Sequence, residues 1–139
     1  MTLDETQTRN STNDDPFAYL YTQQYALLKT FRKNGAAVPT PIWFANENGR
    51  LYITTGSTAG KVKRIRNNGR VTLTPCDQRG RILGNGKEVE GIARELSPAE
   101  HTQANAVLLR KYKFMYRMFD IFGFLSRRKS TYLEVSPVQ

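Results

Sequence analysis

Two dipeptides, Asn34-Gly35 and Asn48-Gly49, constrain this chain more than any other feature. They punctuate the stretch YALLKTFRKNGAAVPTPIWFANENGRLYITT (25–55), whose runs are rich in β-branched and aromatic residues. Asn-Gly favours turns with positive φ at both central positions, the commonest link between antiparallel neighbours. The stretch therefore reads as a three-strand meander. Links this short cannot hold a crossover, so a parallel α/β sheet is excluded. Pro39 and Pro41 interrupt the middle run. Neither has an N–H to give, so that run is an edge strand, a kink, or a place where something other than a strand lies alongside.

The remaining pattern extends the same architecture. DPFAYLYTQQ reads as a short helix with Asp15 as cap and Pro16 at its first position. GKVKRIRNNG (60–69) reads as about two helical turns, with Val62 and Ile65 facing inward and Gly69 ending it. RVTLTPC (70–76) is a fourth strand, QRGRILGNG (78–86) a basic glycine-rich loop, and KEVEGIARELS (87–97) a fifth strand carrying Val89, Gly91 and Ala93 on one face. Ser97, Pro98 and Glu100 mark the start of a helix reaching about Tyr112. An amphipathic segment interrupted by Gly123 follows, and TYLEVSP is the closing strand. Six strands with short hairpins and late helices predict a mainly β fold, a small closed or partly closed antiparallel barrel.

The chain of 139 residues is long enough for one core, which puts a single domain over 15–139 after a flexible polar tail over 1–14. One cysteine, Cys76, excludes an intrachain disulfide and fits a cytoplasmic protein; a small buried side chain is its simplest role. The acidic start MTLDETQTRNSTNDDP does not resemble a secretion or import signal, and no run approaches the roughly 20 apolar residues of a membrane span. His101 is the single histidine and reads as a solvent-side residue near a helix start. With no cysteine pair, no ligand spacing among carboxylates and no strained Gly-x-Ser-x-Gly turn, neither a metal site nor a hydrolytic triad is expected. Any reaction would then be carried by an organic cofactor.

The net charge of +9, from 21 Lys and Arg against 12 Asp and Glu, concentrates at 61–70 and 110–129. Nucleic acid, an anionic membrane surface or an anionic cofactor could use it. The stretch TTGSTAGKVKR (54–64) bears on that choice. It resembles a triphosphate loop but has only Ser57, Thr58 and Ala59 between its glycines, and Val62 follows Lys61 where a metal-binding hydroxyl belongs. What survives is the general affinity of a helix start for anions, helped by Lys61 and Arg64 one turn apart. On these residues alone, an ordinary Ser/Thr cap followed by a solvated basic face is the simpler account.

TFRKNG, PTPIWF, LYITTG, GKVKRIRNN followed by RVTLTPCD, and VEGIARELSP occur in an order and spacing that resemble the pyridoxamine 5'-phosphate oxidase-like split-barrel family. The likeness covers about 25–98, the closing YLEVSP strand agrees, and the F420-dependent branch is the nearest within the family. The resemblance implies an antiparallel split β-barrel of the flavin-reductase type, homodimeric, with a flavin-type cofactor in each of two grooves between subunits. It implies that Val38, Pro39, Thr40 and Pro41 line the tricyclic ring. Thr54 and Thr55 would contact the phosphate or polyol tail, and Lys61, with Gly60 and Arg64 beside it, would bind the cofactor phosphate. There are departures. Many members carry Arg where this chain has Ala59 or Gly60, so Lys63 and Arg64 or backbone N–H groups must compensate. Arg79 or Arg81 stands where an aromatic is common, and a basic loop there suits the long anionic tail of F420 over FMN.

The resemblance thus implies an F420- or FMN-dependent oxidoreductase passing a hydride between the cofactor ring and a small or lipophilic substrate. Trp43, Arg79 and Arg81 are the expected substrate-pocket residues, and Trp43 is equally well a core aromatic. Phe114, Met118, Phe122 and Leu125 form a helical stripe, read as packing or as a pocket lid. Two other readings stay open: a basic barrel binding single-stranded nucleic acid, and a flavin or F420 carrier without turnover. Against the first, Trp43, Phe44 and Tyr52 are spaced as core and wall residues and do not form a stacking row. An anionic membrane is the weakest partner, because Asp120 and Gly123 interrupt the basic segment.

Overall fold

Both short turns form where the Asn-Gly pairs stand. The computed structural model describes residues 15–112 and 129–138. Asn48 and Gly49 have φ of 54° and 77°, a two-residue link between β3 (Ala45–Glu47) and β4 (Arg50–Gly56). Gly35, with φ of 91°, closes the longer turn between β1 (Tyr25–Phe31) and β2 (Ala37–Trp43), where Asn34 Oδ1 accepts the Ala36 N–H at 3.0 Å.

The expected meander is corrected in its middle. The second run is two strands broken at Phe44: β2 pairs with β1, β3 pairs with β4, and the two lie at opposite ends of the sheet. The reason is a side chain from far along the chain. Tyr112 Oη accepts the Phe44 N–H at 3.0 Å and reaches the Phe44 carbonyl, so Phe44 meets its backbone demand without a partner strand. Its ring is buried in the inner core.

With β5 (Arg70–Cys76), β6 (Val89–Glu95) and β7 (Ser130–Pro137), the strands form one antiparallel sheet ordered β2-β1-β5-β6-β7-β4-β3. The sheet curls into a half-barrel, bringing β2 close to β4 on its open side. Leu28, Ile42, Phe44, Leu51, Ile53, Leu73 and Leu133 fill the concave face. The helix α2 (His101–Tyr112) covers the outer face through Ala104, Val107, Leu108 and Tyr112, packed on Tyr52 and Leu96. The fold is mainly β, as the sequence implies.

Three local expectations need adjusting or are met. The first helix shrinks to a single 3-10 turn, Ala18–Leu20, bracketed by buried Phe17 and Leu20 at the i, i+3 spacing that a 3-10 turn aligns. Its N-cap is Phe17 and not Asp15, whose carboxylate instead accepts the Phe17 N–H at 3.2 Å just ahead of the turn. The Ser97/Glu100 capping box forms ahead of α2. His101 is half-buried and not on the solvent side: its ring lies 4.8 Å from that of Tyr132, with Nε2 3.3 Å from the Leu96 carbonyl.

β2 is the edge strand its prolines require. Val38, Thr40 and Ile42 face the concave side, while Pro39 and Pro41 are exposed. Because the prolines cannot donate, the ladder to β1 draws on the alternating non-proline residues. The free edge at Pro39 and Pro41 is left with carbonyls and no N–H, so it cannot extend the sheet there.

Candidate anion and cofactor site

The helix α1 (Gly60–Asn67) buries Val62 and Ile65 against the barrel, and its Lys61 and Arg64 side chains reach Thr55 on β4 and Thr30 on β1. Ala59 is its N-cap, in extended conformation and with no side-chain hydrogen bond, so the Ser/Thr-cap account fails. The N–H groups of Gly60 and Lys61 are left over by helix geometry. Lys61, Lys63 and the guanidinium of Arg64 crowd this end, and the first turn holds no acidic residue to offset them. Cations at a helix N-terminus oppose its dipole, so this arrangement costs stability in the absence of a ligand.

The two inner cations rest on neutral hydroxyls. Lys61 Nζ donates to Thr55 Oγ1 at 3.2 Å, and Arg64 Nε donates to Thr30 Oγ1 at 2.6 Å. Burial first and the Arg64 charge second hold the Lys61 ammonium below the usual lysine range. Arg64 is lowered likewise, by burial and then by Arg32. Among the described residues none of Arg32, Lys33, Lys61, Lys63 and Arg64 meets a carboxylate. Several other cations of the barrel do meet carboxylates: Arg66–Glu95 at 2.7 Å, Arg70–Glu90 at 2.9 Å, Lys29–Glu88 at 2.9 Å and Arg94–Glu100 at 2.7 Å. A local surplus of unpaired cations around open N–H groups is an anion site in its chemistry.

Gly60 has a role here that a motif does not reveal. A Cβ at this position would stand 2.8 Å from Arg64 Nη1, because the guanidinium folds back over the first turn. Gly60→Ala is expected to push that flexible guanidinium aside. The fold should hold, while affinity for a phosphate ligand, read by titration, drops several-fold.

The other expected site residues divide. Thr54 and Thr55 adjoin in sequence but lie on opposite faces of β4. Thr55 shares the concave side with Ile53, whereas Thr54 Oγ1 donates to the Thr131 carbonyl at 3.3 Å on the outer side. Val38 and Thr40 face the concave side half-buried, and Val38 pairs with Thr30, the anchor of Arg64. Pro39 and Pro41 offer only backbone carbonyls. Trp43 takes its core role: its ring centroid lies 5.6 Å from that of Tyr25 and 4.9 Å from that of Tyr112, against the outer cluster.

Arg79 and Arg81 are not brought to the cleft that Arg64 and Lys63 line. They line a separate cavity of about 680 Å³ with Tyr25, Gln78 and Cys76, and Arg81 Nε is held by Asp77 Oδ2 at 2.7 Å. The loop folds onto the outward face of β1 and β2, close enough that a Cβ at Gly80 would meet Leu27 Cδ1 at 3.4 Å. Arg32 and Lys33 line the cationic cleft and Thr30 anchors Arg64 beside it, three residues that no motif marks; the basic pair before Asn34-Gly35 is the available signal. Cys76 is buried, and burial together with Asp77 pushes its thiol up to about 11, so it is no nucleophile at neutral pH. The Phe114, Met118, Phe122 and Leu125 stripe lies outside the described residues. Among the described residues no group of three or more His, Cys, Asp or Glu could hold a metal, and no helix is long and apolar enough to cross a membrane.

Comparison with solved structures gives the fold independent support. An FAD-binding protein from Mesorhizobium loti is 19% identical with a TM-score of 0.63, over 86% of this chain and 85% of that one. An F420 reductase is 18% identical with a TM-score of 0.58, over 88% and 93%. A heme-binding protein from Mycobacterium smegmatis is 12% identical with a TM-score of 0.59, over 90% of this chain and 49% of that one. At these identities the likeness is one of fold. No curated protein sequence matches the chain. Residues 17–124 match the pyridoxamine 5'-phosphate oxidase family, and with most of its length inside that match the chain belongs to this family.

Proposed function

We propose that this protein is an oxidoreductase dependent on F420, with FMN as the alternative cofactor, acting on a small or lipophilic organic substrate. The observation that carries the reading is the start of α1, with no acidic residue in its first turn, where among the described residues Lys61 and the folded-back Arg64 lean on neutral threonines and on no carboxylate. Those residues fit a cofactor phosphate. Lys61, Arg64 and the N–H groups of Gly60 and Lys61 would hold it, with Thr55 and Thr30 fixing the two side chains. Val38 and Thr40, with the acceptor edge at Pro39 and Pro41, would border the ring. When bound, a flavin or deazaflavin supplies hydride transfer between its ring and a substrate. The chain's own part is to bind, orient and exclude water.

The cavity lined by Arg79 and Arg81 lies on the outward face, so it would serve this cleft only from a second copy. A homodimer with a site at each groove between subunits is the assembly proposed. One observation favours a second reading, a carrier without turnover: the described residues that line the cleft include no Asp, Glu or His to serve as an acid or base.

Titration with F420 and with FMN, followed by cofactor fluorescence, tests the binding claim. Saturable micromolar binding of one of them is expected, with a dimer on size-exclusion chromatography. Absence of binding to both, together with salt-dependent capture of oligonucleotides, would overturn it in favour of a nucleic-acid barrel. Binding without reduction or oxidation of any substrate panel would favour the carrier.

A further inference from the structure

Among the described residues, Arg66 is the one cation of α1 that meets an acid, and three side-chain ties hold this helix to the barrel. Lys61 reaches Thr55 on β4, Arg64 reaches Thr30 on β1, and Arg66 reaches Glu95 on β6. The first two are single bonds to neutral hydroxyls, made by cations that must also grip the anion. The third is a two-bonded ion pair, with Arg66 Nε 2.7 Å from Glu95 Oε1 and Nη2 3.1 Å from Oε2. A paired guanidinium and carboxylate of this kind fixes direction as well as distance. Glu95 ends the face of β6 that Val89 and Ala93 share, and its Oε2 also accepts the buried Thr131 hydroxyl at 2.6 Å. Thr131 stands opposite Thr55 in the β4–β7 ladder, and Thr55 is the hydroxyl that receives Lys61. The ties therefore close a circuit, from Lys61 through Thr55, Thr131 and Glu95 to Arg66 on the same helix. The Gly69 carbonyl, accepting the Ala93 N–H at 2.7 Å, pins the exit of α1 to β6 alone; Glu95 adds the link to β7. Packing of Val62 and Ile65 presses α1 inward without direction, so the circuit sets where its first turn points.

We infer that Glu95 is the positioning residue of the anion site: through Arg66 and Thr131 it sets α1 against β7 and β4, so that Lys61 and Arg64 converge on one phosphate. The inference rests on the phosphate reading above and adds to it a residue that acts through others. It also accounts for an acid beside a helix whose remaining cations meet none. Glu95 is held below the ordinary carboxylate range, first by Arg66 and then by Thr131, so it is ionised at neutral pH. By charge alone, an ionised carboxylate near an anion site weakens binding, and its removal should strengthen it. By position, its removal should weaken binding. The two effects differ in sign, which makes the substitution decisive.

The test titrates the whole protein with FMN and with F420, by cofactor fluorescence, in the parent, in Glu95→Gln and in Thr131→Val. Thr131→Val keeps the β-branched shape and every charge, and removes the hydroxyl that ties Glu95 to β7. Both variants should bind whichever cofactor the parent binds about 3- to 10-fold more weakly, part of the value of one charge-assisted bond. Titration well below each variant's melting temperature separates this loss from lost stability. The double variant should be little weaker than either single one, because both cut the same circuit. A pH profile gives a second reading. In Thr131→Val, Lys61 is freed from the burial that lowers it, so the alkaline midpoint of binding should rise toward the ordinary lysine value of about 10.4. A loss of stability alone would leave that midpoint in place. Parent-level or tighter binding by either variant would overturn the inference, and so would an unmoved midpoint. A loss of binding in Lys61→Ala would then leave the phosphate reading standing. If Glu95→Gln does not fold, Thr131→Val decides by itself. Failure of the parent to bind either cofactor would overturn both.

Discussion

Replacing Lys61 by Ala is expected to weaken cofactor binding by about 10- to 100-fold, the loss of one charge-assisted hydrogen bond to a phosphate. The melting temperature of the unliganded protein should stay level or rise. Both halves follow from the same geometry. Lys61 is half-buried at a helix start whose first turn holds no acidic residue, and among the described residues its hydrogen-bond partner is the Thr55 hydroxyl. Its ammonium is held below the ordinary lysine range, chiefly by burial. A folded-state value below the unfolded one means that the unfolded chain binds the proton more readily. The charged amine therefore costs the unliganded fold stability at neutral pH, and this cost fades as pH rises from the lowered value toward the ordinary one of about 10.4. An anionic ligand reverses the sign by favouring the charged amine. Affinity should fall across that alkaline window, and the Lys61→Ala variant should lose that component of the pH dependence. Titrations at stepped pH read it directly. A loss of affinity accompanied by a lower melting temperature would instead mark Lys61 as a structural residue.

Tyr112→Ala is expected to destabilise the protein by about 3–5 kcal/mol, as for other large buried aromatics. The ring is buried and packs against Trp43, while the hydroxyl serves the Phe44 N–H and reaches the Phe44 and Gln24 carbonyls. Removing it both opens a cavity and orphans a buried backbone donor at the break between β2 and β3. Tyr112→Phe keeps the ring and should cost about 1–3 kcal/mol, the penalty for the unpaired groups alone. Chemical denaturation measures both. A Tyr112→Phe protein as stable as the parent would show that another group or water satisfies Phe44, and the explanation for the broken strand would fall.

That broken strand also shows what could be read in advance. The Asn48-Gly49 turn was legible because positive φ at two successive positions is a local demand that few dipeptides meet. The break at Phe44 was not, because PIWFAN runs on without a change of period and its cause lies 68 residues downstream in Tyr112. Lys61 and Arg64 were legible as a pair one turn apart on a short helix. Thr30, Arg32 and Lys33 join them only through the curl of the sheet and the placement of the β1–β2 turn, which no linear spacing encodes. Thr54 and Thr55 had a usable signal that the motif obscured: adjacent strand residues point to opposite faces, so only one of them could accompany Lys61. Arg79 and Arg81 are expected at the site because they stand where the family often has an aromatic, but their loop closes on Asp77 and the outward face.

A crystal structure of the protein with F420 or FMN bound addresses the central claim most directly. The phosphate should lie within hydrogen-bonding distance of Lys61 Nζ and the Arg64 guanidinium, against the first turn of α1, with the ring beside Val38 and Thr40. A phosphate seated on Arg79 in the outward cavity, with Lys61 still on Thr55 and open to solvent, would contradict it.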